Sequence, residues 1–473
     1  MCGIFGGITK EFHPDFVVDV IDGLSRLQPR GEEGAGILYS DGNQVWSHKK
    51  YGLVSQVFTP DKVKEIIERR PNMIIGQTHY STSGNKTERN IPPPWIEPPR
   101  GRMGLVHNGN IPNLEIRKKD LESESREDIR FDRDPFEKMN DSEFMLKKIY
   151  WLMSQNRWDI VKALSIFIET VPGSYSAAFL SRDGVLVFRD TYSNRPLFKL
   201  INDKVVYFGS ETCAFPDLKA GHIRSFEAGE ILRISPKGEV RSNIFVTAKN
   251  RNRAHCVFEN IYFARPDSLT FTDRTESHFR RLLGKYLAME DPVPDADFVV
   301  CVPESGRPFS EGFANEISKP ALTYIIRDNY IGRTFIHPNQ KERKILAKKK
   351  YSLVNEPSVF KNKVVVLCDD SIVRLTTMRR LVPMILEAGA KEVHVRISAP
   401  PTISPCYYGI DMPDKKELVA ANLSLEQIRR KIKAKTLAYN SLETVEKVIR
   451  ECGRDPVNFC KACFTGEYPI PLT

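Results

Sequence analysis

Between residues 36 and 210 the apolar positions come in short runs, alternating or continuous, broken by turn residues. Gly36-Ile37-Leu38-Tyr39, Met73-Ile74-Ile75-Gly76, Ser174-Tyr175-Ser176-Ala177-Ala178-Phe179-Leu180 and Gly184-Val185-Leu186-Val187-Phe188 are examples. Runs of this length predict antiparallel strands in stacked sheets, with a few helices, such as one over 141–153, packed on them. No internal repeat is visible.

From about residue 290 the rhythm changes. Asp297–Val302, Ala321–Ile326, Lys363–Cys368 and Val393–Ile397 are nearly continuous apolar strands, and helix-like stretches fall between them, one from Ser310 and one ending near Gly389. Apolar strands alternating with helices predict a parallel sheet covered on both faces. Pro383 falls inside the second helix, where a kink is expected. The predicted fold class is therefore α+β followed by α/β. One domain covers 1–240 and a second covers 241–473, divided in the polar stretch Ser235–Arg253.

Composition adds limits. The 473 residues are 41% hydrophobic and 27% charged, as in a soluble globular protein of two domains. No apolar run approaches the roughly 18–20 residues that span a bilayer, and the start lacks the basic and apolar regions of a secretory signal. A cytoplasmic protein with no membrane partner is expected, and nine cysteines there predict structural, catalytic or metal-binding thiols. The net charge of +10 fits either nucleic acid or a small acidic substrate. The basic residues are dispersed and lack interleaved aromatics, which argues against nucleic acid.

The sharpest chemistry of the second half lies in 366–377, Val-Leu-Cys-Asp-Asp-Ser-Ile-Val-Arg-Leu-Thr-Thr. A buried strand carries Asp369 and Asp370 to its C-terminal edge, and a hydroxyl-rich loop leads into a helix N-terminus that attracts phosphate. Two such carboxylates can hold ribose hydroxyls or Mg²⁺ on pyrophosphate, whereas an Asp pair alone could simply cap a helix. At the other end, Cys2 follows Met1. If Met1 is removed, Cys2 offers a thiol beside a free α-amine whose ordinary pKa of about 7.7–8 suits a general base. Cys460-Lys461-Ala462-Cys463 is a metal site, a redox pair or a coincidence, and spacing alone does not name its partners.

These segments resemble the amidophosphoribosyltransferase family over essentially the whole chain. The 366–377 segment is similar to its phosphoribosyl-pyrophosphate (PRPP) signature. Phe258–Ser268, Val302–Gly306 and Ile331–Ile336 are also similar to family segments. Arg30–Gly36, His107–Asn110 and Asn140–Glu143 look like class II glutaminase motifs. The resemblance implies an N-terminal nucleophile hydrolase-type glutaminase domain and a phosphoribosyltransferase-type domain. Cys2 would attack glutamine, Asn108 and Gly109 would form the oxyanion hole, and Arg30, His79 and Asp141 would bind the substrate. Ser305, Asp369 and Asp370 would surround Mg²⁺ and pyrophosphate. Ser371, Ile372, Val373, Arg374, Leu375, Thr376 and Thr377 would cradle the 5′-phosphate, and Arg343 to Lys350 would form a basic lid. The resemblance also implies a 4Fe–4S cluster on Cys256, Cys406, Cys460 and Cys463, although four thiolates suit zinc as well. The implied partners are glutamine and PRPP, in a homo-oligomer.

Two positions depart from the family pattern. His79 replaces an arginine that grips the glutamine α-carboxylate, and Leu375 replaces a glycine of the phosphate loop. Histidine offers no permanent charge. With a carboxylate beside it, its pKa is expected to rise, so that glutamine affinity fades from about pH 6 to 8. Leucine does not easily take the dihedrals open to glycine. These departures hint at a diverged paralogue using another donor; a PRPP-binding regulator without turnover and a basic nucleic-acid binder are the other rivals.

Overall fold

The computed structural model describes residues 1–80, 90–124, 139–216, 223–246, 253–328, 351–412 and 414–472. These form two compact units. The first is Met1–His255 with Tyr407–Asp411 and Tyr468–Thr473, and the second is Cys256–Cys406 with Met412–Glu467.

The first unit holds two antiparallel sheets. One orders its strands Arg224–Ser225, Phe198–Ile201, Val205–Gly209, Gly3–Thr9, Met73–His79, Gly34–Ser40 and Val45–Tyr51. The other runs Val240–Phe245, Glu230–Ile234, Gly184–Arg189, Ser174–Ser181, Met103–Asn110 and Trp95–Ile96. Side-chain alternation explains the layering. From the N-terminal strand, Ile4 and Ile8 pack with Ile75, Val106, Ala178 and Val187 between the sheets, while Phe5 joins Phe16, Val20 and Leu24 of the helix Pro14–Arg26. The helices Asp141–Gln155 and Ile160–Thr170 cover the outer face of the second sheet through Phe144, Ile149, Leu164 and Phe167. Each such fully buried apolar side chain contributes about 1.5–3 kcal/mol.

The polar stretch expected to divide the domains carries a sheet strand, because Val240–Phe245 pairs with Glu230–Ile234. The observed division falls between His255 and Cys256.

In the second unit a five-stranded sheet orders Ala321–Leu322, Phe298–Cys301, Val364–Asp369, Glu392–Ile397 and Thr436–Tyr439, with parallel pairing throughout. Helix Met378–Glu387 runs through Pro383, which stays partly exposed while Leu381, Val382 and Ile385 are buried. The Arg379 carbonyl, which loses its helical N–H to the proline, is thus on the wetter side. The expected single strand 321–326 is two. Ile325–Arg327 leaves the parallel sheet and pairs antiparallel with Tyr351–Leu353. Its alternation of buried Ile325 with exposed Ile326 suits a ribbon with one wet face. Helix Arg307–Glu316 starts three residues before Ser310, with Pro308 in its first turn. Among the described residues, no helix is long and apolar enough to cross a membrane.

Candidate active site

Cys2 precedes the strand Gly3–Thr9, and the chain start is held from several sides. Gly3 N–H donates to Thr78 Oγ1 at 3.2 Å, and Ile4 N–H donates to Ser210 Oγ at 3.0 Å. Arg30 Nε donates to the Cys2 carbonyl at 3.0 Å, and its Nη1 meets Glu211 Oε1 at 2.6 Å. The Cys2 thiol faces His79, with Sγ 3.9 Å from Nδ1. His79 ends the interior strand Met73–His79, and Gly31 lies so close that a Cβ there would come within 2.6 Å of the His79 backbone. Only glycine permits that approach, which explains Gly31 in the Arg30–Gly36 motif.

Asn108 lies near the end of strand Met103–Asn110. Its side chain is fully buried, and among the described residues neither its amide nitrogen nor its amide oxygen has a hydrogen-bond partner. Buried polar groups are nearly always paired, so this open amide is a candidate for a ligand or water partner. Gly109 has φ of +144°, and a Cβ there would stand 1.8 Å from the Ser174 carbonyl oxygen, so no other residue fits. Next to them, His107 N–H donates to Gln77 Oε1 at 2.9 Å, and its Nδ1 lies 3.2 Å from Ser142 Oγ and 3.8 Å from Asp141 Oδ2. Asp141 opens its helix behind an Asn140–Glu143 capping box, where the helix dipole favours its negative charge. Asp141 acts electrostatically on both His79 and His107. Burial still dominates at both rings and lowers their pKa values, His79 to about 4. The expected rise at His79 is thus reversed: loss of hydration outweighs Glu33 and Asp141, and the ring is already neutral at pH 6.

The segment Tyr407–Asp411 completes this unit. Asn110 Nδ2 donates to the Tyr407 carbonyl at 2.8 Å, Arg195 Nη2 donates to the Tyr408 carbonyl at 2.7 Å, and Tyr80 Oη donates to Asp411 Oδ2 at 3.1 Å. Neither this segment nor Glu211 carried a signal in the sequence, since their partners lie hundreds of residues away.

In the second unit, strand Val364–Asp369 delivers Asp369 and Asp370 to its C-terminal end. Asp370 accepts the Ser305 hydroxyl at 2.5 Å and the Ser371 hydroxyl at 2.6 Å, and its N–H donates to Asp369 Oδ1 at 2.9 Å. Along the loop, Ile372 and Leu375 are buried in the core. Ser371, Val373, Arg374, Thr376 and Thr377 keep some exposure, and Arg374 pairs with Glu417 at 2.6 Å. Two loop side chains therefore point inward, and only their backbone remains for a phosphate. Leu375 does adopt the glycine-like backbone, with φ of +60°. Arg343 and Lys350, expected in a lid, lie outside the described residues.

The four cysteines of the expected cluster approach one another in this unit. Cys256 and Cys460 belong to two short strands that pair, and the Cys463 carbonyl accepts from Ile403 and Ser404, just before Cys406. Burial pushes the Cys463 thiol well above its ordinary pKa, and Cys256, Cys460 and Cys406 push it further. Among the described residues no group of three or more His, Cys, Asp or Glu stands ready to hold a metal ion.

The chain is 38% identical to an amidophosphoribosyltransferase of Methanocaldococcus jannaschii, over 100% of this chain and 98% of that relative. The chain belongs to the amidophosphoribosyltransferase family. The human enzyme of that name is 34% identical, over 100% of this chain and 98% of its own. Residues 274–402 match the phosphoribosyl transferase domain family. Among solved structures, the chain is similar to the glutamine PRPP amidotransferase from B. subtilis in complex with ADP and GMP. The identity is 35% and the TM-score 0.86, covering 100% of this chain and 98% of that one. A second structure, described as the allosteric regulatory enzyme of purine biosynthesis, matches at 35% identity and TM-score 0.87, over 100% and 97%. Family membership makes this chain a transferase with the two-part fold expected from its sequence.

Proposed function

We propose that this enzyme hydrolyses glutamine at Cys2 and uses the ammonia to displace pyrophosphate from C1 of PRPP, giving 5-phosphoribosylamine, the entry step of purine synthesis. The observation that carries the reading is the fully buried Asn108 amide, unpartnered among the described residues, next to Gly109 in a backbone only glycine accepts. Such a pair supplies an oxyanion hole for the tetrahedral intermediate. In this reading Arg30 holds the Cys2 carbonyl, and Asp141 receives the glutamine α-amino group. His79 borders the same pocket through Cys2.

In the second unit, Ser305, Asp369 and Asp370 would hold Mg²⁺, which neutralises the leaving pyrophosphate. Asp370, held by two hydroxyls, and Asp369, held by the Asp370 N–H, offer the oxygen ligands that ion prefers. The Ser371, Thr376 and Thr377 hydroxyls would meet the 5′-phosphate before the helix Met378–Glu387, and Arg343 and Lys350 would close over it. Cys256, Cys406, Cys460 and Cys463 would hold a 4Fe–4S cluster in a structural role. Cys256, Cys406 and Cys460 all act on the Cys463 thiol, and four thiolates are the donor set such a cluster takes. The enzyme works in the cytoplasm as a homo-oligomer on small substrates, without nucleic acid or membrane.

Pyrophosphate release from PRPP, measured with glutamine and with ammonium, tests this reading. Cys2→Ala is expected to abolish the glutamine-dependent rate and spare most of the ammonium-dependent rate, with Met1 absent from the active protein by mass spectrometry. Glutamine-dependent turnover by Cys2→Ala would overturn it. One observation favours free ammonia as the donor instead: neutral His79 offers no charge to a glutamine α-carboxylate. A wild-type rate seen with ammonium and not with glutamine would select that reading.

A further inference from the structure

His79 faces the nucleophile at close range. Its Nδ1 is 3.9 Å from Cys2 Sγ, within reach of a thiol hydrogen bond. Its backbone is locked: it pairs with Gly34 across the sheet, and its carbonyl accepts the Glu33 N–H at 3.1 Å. The charged groups that face the ring are Glu33 beside the neighbouring strand, Asp141 at the start of its helix, Lys49 on the edge strand, and the Met1 amine, whose place the Cys2 amine takes once Met1 is removed. The two carboxylates favour a proton on the ring, whereas Lys49 and the amine oppose it. Burial exceeds them all and sets the pKa at about 4, so the resting imidazole is neutral with one nitrogen bare. An arginine at this position never has a bare nitrogen.

We propose that His79 is a catalytic proton acceptor for Cys2, working alongside the α-amine. The inference rests on the reading of Cys2 as the glutaminase nucleophile. As Sγ bonds to the amide carbon, Nδ1 takes the thiol proton. It returns that proton to the amide nitrogen as the C–N bond breaks, and the bond's electron pair leaves with ammonia. In the second half, water bonds to the thioester carbon and the C–S electron pair returns to sulfur. The proton that water loses passes through Nδ1 to Sγ. Glu33 and Asp141 stabilise the ring while it carries the proton, and the developing thiolate does the same. The 3.9 Å separation is long for such a transfer, but catalytic contacts commonly tighten when substrate binds.

The two bases differ in their pH signature. An α-amine acting alone loses its free form as pH falls through about 7.7–8, and the rate falls with it. A neutral imidazole with a low pKa keeps accepting protons well below that. Glutamate release, with kcat and KM separated, should therefore be measured from pH 5.5 to 8.5 on the full-length protein. His79→Asn serves as the comparison, because its amide keeps a hydrogen-bonding atom near Nδ1 and cannot hold a proton. Retained thermal unfolding would show that the variant is folded. Wild-type kcat is expected to stay nearly flat down to pH 6. His79→Asn should lose about 10²-fold in kcat at pH 6, the scale of general-base catalysis, with KM within about threefold. Added imidazole should restore part of the kcat of His79→Ala. A folded His79→Asn with wild-type kcat across the range would overturn the proposal, as would an effect on KM alone. Turnover that survives Cys2→Ala would instead remove the nucleophile reading, so the two failures are separable.

Discussion

The guanidinium of Arg30 meets the carboxylate of Glu211 at 2.6 Å with no exposed surface on either side chain, and it also holds the Cys2 carbonyl at 3.0 Å. An ion pair without water adds little net stability, but removing one partner strands the other charge at a cost of about 3–5 kcal/mol. Arg30→Ala should therefore lower the unfolding free energy by an amount on that scale and reduce glutamate release. Arg30→Met with Glu211→Leu should regain most of the stability and none of the turnover, because Cys2 has lost its donor. Urea unfolding alongside a glutamate assay reads both. An Arg30→Ala protein as stable as wild type would show that the pair does not hold the strand start.

Leu375 makes a separable case. It sits at φ of +60°, a conformation that costs an L-residue about 1–2 kcal/mol, yet it is only 6% exposed and packs in the transferase core. Its buried side chain contributes about 1.5–3 kcal/mol, enough to offset the strain. Leu375→Ala loses the packing and keeps the strain, whereas Leu375→Gly loses the packing and relieves it. Stability should fall in the order wild type, Leu375→Gly, Leu375→Ala, with the two variants separated by about 1 kcal/mol. Equal stability of the two variants would mean that the loop relaxes out of the left-handed region.

The four cysteines can be tested by metal content. Anaerobically prepared protein should be brown and carry about four irons per chain, as a four-thiolate cubane does. Cys406→Ser and Cys460→Ser should each lose iron and lower the yield of folded protein, since binding such a group is coupled to folding. Stoichiometric zinc without iron would reassign the site.

The sheet types were legible because the spacing between apolar runs records whether a turn or a helix joins neighbouring strands. Short runs broken by turn residues marked the antiparallel unit, and apolar runs alternating with helices marked the parallel one, including the buried strand Val364–Asp369. The candidate residues were proposed where chemistry is local: Asp369-Asp370 at one strand end, Asn108-Gly109 near another, Cys2 beside the chain start. The single strand expected at 321–326 divided in two because its second half found Tyr351–Leu353, a partner no local pattern names.

By itself, then, the sequence determined two units of different sheet type and the chemical groups available to each. Only the tertiary structure decided what those groups face and which charge they carry. Glu211 reaches Arg30 across 181 residues, and Asp411 reaches Tyr80 across 331. From the sequence, a neighbouring carboxylate is expected to raise the pKa of His79. In the folded chain its pKa falls instead, because lost hydration at this half-buried ring outweighs the nearby charges. Hydration is a property of everything that surrounds a group, and no short stretch of sequence contains it.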